Sequence, residues 1–205
     1  MKILLTTICM MLMNFSPIAL CAQDLSKKGR DMNDKKILIA FFSRADENYN
    51  VGYIDKGNTQ IVAEMIAEET GGTLFHIETE TPYPANYMEC IDVAKKELKA
   101  KARPAIKGDV PVEDYDIIFL GYPNWWGDTP MAVYTFIEKH NWQGKIIIPF
   151  CTHEGSGLGS TENKLKKACT GATFRNGIAV QGATAQNRQD QARKSVKDWL
   201  DKLNL

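Results

Sequence analysis

Lys36-Ile-Leu-Ile-Ala-Phe-Phe42 is an apolar run without polar alternation, and Ile117-Ile-Phe-Leu120 and Lys145-Ile-Ile-Ile-Pro-Phe150 share its character. A strand with one wet face alternates apolar and polar side chains. A strand that is apolar throughout is covered on both faces, as in a parallel sheet sandwiched between helices. Thr73–Glu78 and Thr173–Val180 read as weaker strands, and Gly177 marks a break or bulge inside the second.

Helical patterns fill the spaces between these runs. Asn58–Thr70 places Ile61, Val62, Met65 and Ile66 on one face and stops at Gly71-Gly72. Asn86–Ala102 ends before Pro104, and Pro130–Lys139 opens with proline in its first turn. Thr161–Ala168 is short. Asn187–Leu203 carries Ala192, Val196, Trp199, Leu200 and Leu203 at helical spacing. Strand and helix therefore alternate five times. Right-handed crossovers turn that order into one doubly wound α/β sheet with helices on both faces, spanning residues 35–205.

The composition agrees. A chain of 205 residues that is 44% hydrophobic and 24% charged is ordinary globular material, which excludes a collagen, a largely disordered chain and a polytopic membrane protein. Basic and acidic residues balance at 25 each, so nothing in the charge favours a nucleic acid partner. Three His and five Cys without CxxC or HExxH give no zinc framework.

Residues 1–22 stand apart from this pattern. Lys2, the apolar run Ile3–Met13, the break at Asn14 to Pro17 and the small residues Ala19, Cys21 and Ala22 form a secretory signal peptide, followed by a polar lead-in at 23–34. The apolar run is too short and too interrupted for a spanning anchor, and Leu20 disfavours lipidation at Cys21. Export places the protein in the periplasm or outside the cell, with no membrane span after cleavage. Cleavage removes one charged residue, Lys2, and leaves 24 basic against 25 acidic residues. Three cysteines then remain, Cys90, Cys151 and Cys169. They read as small buried hydrophobes, with a Cys90–Cys169 disulfide left open.

In doubly wound sheets ligands sit beyond the carboxyl ends of the strands, so the loops after the apolar runs carry the function. The first, from Ser43 and Arg44 to Gly57-Asn58-Thr59, ends at a helix start, where free N–H groups and the helix dipole suit a phosphate; simple capping is the plainer reading of Asn58 and Thr59. Neither GxGxxG nor GxxxxGK[ST] is present. The second, Gly121-Tyr-Pro-Asn-Trp-Trp-Gly127, holds adjacent tryptophans; one is expected to pack beneath the loop and the other to offer a platform for a flat ring. The third, Cys151-Thr-His-Glu-Gly-Ser-Gly-Leu-Gly-Ser160, is rich in donors and permits close approach. His153 there reads either as a donor to a ligand or as a solvent-exposed side chain. A Ser156 nucleophile is unsupported, since GxSxG is absent.

Taken together, Gly57-Asn58-Thr59 at a helix start, GYPNWWG after the third strand and CTHEGSGLG after the fourth resemble the flavodoxin family over residues 35–205. The resemblance implies a three-layer α/β/α sandwich around a five-stranded parallel sheet in the order 2-1-3-4-5, binding FMN noncovalently. By position it implies that Ser43, Asn58 and Thr59 hold the phosphate. Arg44 beside them reads as a partner of the phosphate or, more simply, of Asp46 or Glu47 in a surface ion pair. Pro123, Asn124, Trp125, Trp126 and Gly127 flank the ring and ribityl chain. Thr152, His153, Gly155 and Ser156 cover the ring's other side, and Tyr83 touches its edge. The ring-facing loops lack Lys and Arg, an arrangement that makes bound FMN hard to reduce.

Two departures from the family pattern stand out. Ala45–Lys56 is inserted between the two halves of the phosphate loop and is expected to fold over the flavin or to contact a partner. The chain is also neutral where carrier flavodoxins are acidic, which weakens any steering toward a basic redox protein. The function implied is electron transfer, either as a carrier for an unidentified redox partner or as a quinone- or nitro-type reductase. A non-redox binding module using the same pocket is the alternative.

Overall fold

The computed structural model describes residues 35–205; the signal peptide expected at 1–22 and the lead-in expected at 23–34 lie outside the described residues. Five apolar segments become strands of one parallel sheet. β1 (Ile37–Phe41) lies between β4 (Thr73–His76) and β5 (Ile117–Pro123); β6 (Ile146–His153) follows β5. The fifth strand is split into β7 (Thr173–Phe174) and β8 (Ile178–Gln181), which both pair with β6. The order is therefore 2-1-3-4-5, with the break at Gly177. A Cβ there would come 2.6 Å from the Pro149 carbonyl.

The apolar runs are long because both faces are covered. From β1, Leu38 and Ala40 join one core with Phe136 of α3 (Met131–Glu138) and Leu165 of α4 (Thr161–Ala168). Ile39 and Phe41 join the other, with Met65 and Ile66 of α1 (Asn58–Thr70) and Val196 of α6 (Gln189–Leu203). Each of these side chains larger than alanine contributes about 1.5–3 kcal/mol by leaving water. α2 (Tyr87–Ala100) is capped by Asn86, whose Oδ1 accepts from the Glu89 N–H, and it ends at Lys101 in the left-handed conformation. A short α5 (Gly182–Asn187) precedes α6, where the sequence reading placed only one helix.

The insertion after β1 is a small antiparallel hairpin, β2 (Asp46–Asn48) and β3 (Gly52–Ile54), separate from the main sheet. The carboxyl ends of β1, β5 and β6 lie side by side beneath it, because Phe41, Gly121 and Phe150 are in register across the sheet.

Candidate functional site

The two halves of the first loop meet despite the twelve residues between them. Ser43 Oγ accepts from the Gln60 N–H at 3.0 Å and so caps α1 from outside the helix. Gly57 sits so close to this turn that a Cβ would lie 2.2 Å from Ser43 Oγ and 2.5 Å from the Arg44 carbonyl. The N–H groups of Asn58 and Thr59 stand in the first turn, where no intrahelical acceptor exists. Asn58 is not the cap. Its Oδ1 accepts from Gln186 Nε2 at 2.9 Å. Thr59 Oγ1 is buried 2.7 Å from Thr152 Oγ1, which ties the helix start to the end of β6.

The second loop is a tight turn. Trp125 and Asp128 exchange both backbone hydrogen bonds, while Trp126 and Gly127 adopt φ of +57° and +73°. A left-handed tryptophan is uncommon and is held by its surroundings. Trp125 packs inward, its ring edge-on to Phe42 at 5.4 Å and to Tyr83 at 5.2 Å. Trp126 is 51% exposed and leans on α2, where its indole N–H donates to the Ile91 carbonyl at 3.2 Å and Lys95 Nζ lies 5.1 Å above its ring. Asn124 joins this loop to the third: Oδ1 accepts from the Gly127 N–H, and Nδ2 donates to the Gly157 carbonyl at 2.9 Å.

In the third loop His153 Nδ1 accepts from the Gly155 N–H at 2.8 Å, so the neutral ring carries its proton on Nε2. Burial lowers the imidazole's pKa, with the charge of Glu154 opposing. Glu154 accepts from the Ala183 N–H at 2.7 Å and from Asn50 Nδ2 at 2.9 Å, bridging α5 to the hairpin turn.

These loops bound a cavity of about 260 Å³ at the carboxyl ends of the strands. Of the residues the sequence singled out, Arg44, Asn58, Pro123, Asn124, Trp125, Trp126, Thr152 and His153 line it. Ser43, Thr59, Gly127, Gly155 and Ser156 are not part of that lining; all but Ser156 hydrogen-bond the segments that form it. Tyr83 does not face the cavity. It backs Trp125 and donates its hydroxyl to Glu97 at 2.6 Å, with burial and the carboxylate together pushing its pKa far up.

Arg44 pairs with neither Asp46 nor Glu47. Its guanidinium donates to three carbonyls, of Glu47 at 2.7 Å and of Pro84 and Ala85 at 2.6 Å each. The ring-facing loops carry no Lys or Arg, but the first loop places Arg44 on the cavity wall.

Sequence reasoning missed Tyr87, Cys90, Ile91, Ala94 and Glu154, which also line the cavity, and reached Asn48 and Tyr49 only as part of the insertion Ala45–Lys56. The α2 residues fall at helical spacing and read as core. Among the described residues no cluster of His, Cys, Asp or Glu could hold a metal ion.

A doubly wound sheet in the order 2-1-3-4-5, with its cavity at the strand ends between a helix start and two aromatic or glycine-rich loops, defines a nucleotide-cofactor class of α/β protein. The flavodoxin family profile matches residues 36–203, and the chain belongs to that family. A candidate flavoprotein from Bacteroides eggerthii DSM 20697 is 30% identical, with 84% of this chain and 99% of that one covered at a TM-score of 0.65. One from Bacteroides uniformis ATCC 8492 is 28% identical, covering 82% and 98%, also at 0.65. A Lactobacillus acidophilus NCFM flavoprotein solved with FMN shares the fold at 18% identity and a TM-score of 0.56, covering 76% and 99%. No curated protein sequence matches the chain significantly.

Proposed function

We propose that the protein binds FMN noncovalently in this cavity and transfers electrons through it, and that its first 22 residues export it from the cytoplasm. The observation that carries the reading is the juxtaposition of three features in a flavodoxin: the α1 N-terminus, the tryptophan turn and the His153 loop around one cavity. The residues fit the cofactor. The turn closed by Gly57 brings free N–H groups and the helix dipole to a phosphate. Pro123 and the tryptophans offer apolar surface to a flat ring, and His153 Nε2–H and Asn58 supply donors. Bound flavin would supply the redox chemistry; the chain binds it, orients it and limits water.

The neutral His153 keeps a donor on the cavity wall without adding a charge. Arg44 adds a fixed charge instead, which favours the more negative, reduced cofactor. Among the described residues no helix is long and apolar enough to cross a membrane.

Two measurements test the reading. The purified protein should show a bound-flavin absorbance spectrum and release FMN on denaturation at one per chain; a colourless protein that does not take up added FMN would favour the non-redox module. Expressed with its native start in a Gram-negative host, it should be recovered outside the cytoplasm with its amino terminus near Ala22 or Gln23. A retained Met1 would refute export.

A further inference from the structure

We infer that Lys164 is a positioning residue for the flavin ring: paired with Asp128, it holds the tryptophan turn in the conformation that presents Trp126 to the cavity. The inference rests on the flavin reading above and adds to it residues that lie outside the cavity.

Trp126 stands at the apex of its turn with φ of +57°, a left-handed conformation that only glycine adopts freely. Its indole N–H on the Ile91 carbonyl locates the ring, but a strained backbone persists only where its surroundings hold it.

The restraint comes from behind the turn. The Asp128 side chain is 8% exposed, and three donors converge on its carboxylate. The Thr129 N–H at 2.8 Å and the Tyr134 hydroxyl at 2.9 Å reach Oδ1, and Lys164 Nζ reaches Oδ2 at 2.8 Å. Lys164 Nζ also donates to the Gly127 carbonyl at 3.1 Å, and Ser160 Oγ donates to the same oxygen at 3.4 Å. One ammonium therefore grips both residues that follow Trp126. Tyr134 belongs to α3 and Lys164 to α4, so the turn is fastened to two helices. Neither of them, nor Asp128, lines the cavity.

A carboxylate removed from water is costly unless a cation and further hydrogen bonds meet it. Thr129 and Tyr134 supply the hydrogen bonds. Burial, with the charge of Asp128, pushes the Tyr134 pKa far up and keeps that hydroxyl a donor. Arg103 lies 5.1 Å from the Tyr134 ring but is engaged with Glu138. Among the described ion pairs, Lys164 is the one cation on Asp128. Without it the carboxylate turns toward water, the backbone at Gly127 and Asp128 moves with it, and Trp126 is released from its strained φ. A ring that stacks on this conformation of the turn then binds in proportion to how often the turn adopts it.

The test replaces Lys164, whose side chain is 40% exposed and therefore open to substitution. Lys164→Met keeps the stem and removes the ammonium. Affinities for FMN and for riboflavin should fall by the same factor, about tenfold, the loss given by a freed turn that holds this conformation about a tenth of the time. Emission of the bound flavin, quenched where its ring stacks on tryptophan, should rise. Lys164→Arg keeps a charged donor and should bring both affinities back to within about threefold of wild type. Riboflavin separates the two roles open to a lysine, since one acting only through its charge on the phosphate would weaken FMN alone. A loss confined to FMN, affinity and emission unchanged in Lys164→Met, or Lys164→Arg no better than Lys164→Met would each overturn the positioning role. If wild type binds neither flavin, the flavin reading fails instead. The clamp is then judged by hydrogen exchange of the Gly127 amide, which donates to Asn124 Oδ1. Exchange should be about tenfold faster or more in Lys164→Met, and equal protection would end the proposal.

Discussion

Thr59 and Thr152 share one hydrogen bond in a place that water does not reach, and that bond joins the α1 start to the end of β6. Thr59→Ala removes a partner and leaves the Thr152 hydroxyl buried alone, so unfolding free energy should fall by about 1–2 kcal/mol. If the α1 start holds a phosphate, FMN should weaken by about 1–2 kcal/mol more than riboflavin, which lacks it. Fluorescence titration with both ligands measures the difference, and equal losses would show that the Thr59 hydroxyl does not reach the phosphate. His153 gives a second residue-scale outcome. Its folded pKa is lowered by burial, so below the ordinary value of about 6.5 the unfolded chain binds more protons than the folded one. Stability contributed by the neutral ring is therefore present at neutral pH and is lost as pH falls through about 6.5. Chemical denaturation at about pH 7 and about pH 5.5 should show a drop in wild type that is smaller in His153→Gln; an unchanged drop would place the titrating group elsewhere.

At the scale of elements, the contact between β5 and β6 is set by a missing side chain. A Cβ on Gly121 would lie 2.1 Å from Phe150 Cζ, so the phenyl ring occupies the space above the glycine. Gly121→Ala should destabilise by about 1–3 kcal/mol through overpacking, and Phe150→Leu in the same chain should recover part of the loss, a coupling that two independent sites would not show. Thermal unfolding of the two single variants and the double variant measures it. The central strands, α1 and α4 were legible because their signals are local: continuous apolar runs, periodic faces and glycine stops. The split of the last strand was legible too, from Gly177. The hairpin was not. Asp46-Glu47-Asn48 and Gly52-Tyr53-Ile54 are short and largely polar, and what holds them in place is distant in sequence: Arg44 on Pro84 and Ala85, Glu47 on Asn86 and Tyr87, Asn50 on Glu154. The second cavity wall was hidden for a related reason. Cys90 and Ala94 obey helical spacing, and periodicity does not distinguish a residue facing a core from one facing a cavity. The tryptophan loop was read as one ring in and one ring out from the alternation of extended backbone; the structure reaches that outcome through a turn with Trp126 at positive φ, and which ring went in depended on Phe42 and Tyr83 behind it.

The molecule as a whole carries three free thiols and no disulfide among the described residues, which matters for a protein we propose is exported into an oxidising compartment. Cys90 and Cys169, the pair left open by the sequence, are not joined. Cys90 lines the cavity from α2, and Cys169 sits in the core at the end of α4. Protection has to come from burial, since thiolate is the reactive form and burial suppresses it. All three are nearly inaccessible, at 3% for Cys90, 0% for Cys151 and 1% for Cys169. Burial raises the Cys90 thiol and pushes Cys151 and Cys169 up to about 12. The native protein, cleaved at its leader, should therefore resist an aromatic disulfide reagent even at about pH 9, where a free thiol of ordinary pKa is largely ionised. Three thiols should appear on unfolding. Cys90 should be the first to react, because it alone borders a cavity and Arg44 partly offsets its raised pKa. Excess dithiothreitol should leave the melting temperature unchanged within about 1 °C, since there is no cross-link whose loss would loosen the unfolded chain. Fast native labelling of Cys151 or Cys169, or a melting point that falls on reduction, would show that the molecule meets oxidising surroundings by cross-linking rather than by concealment.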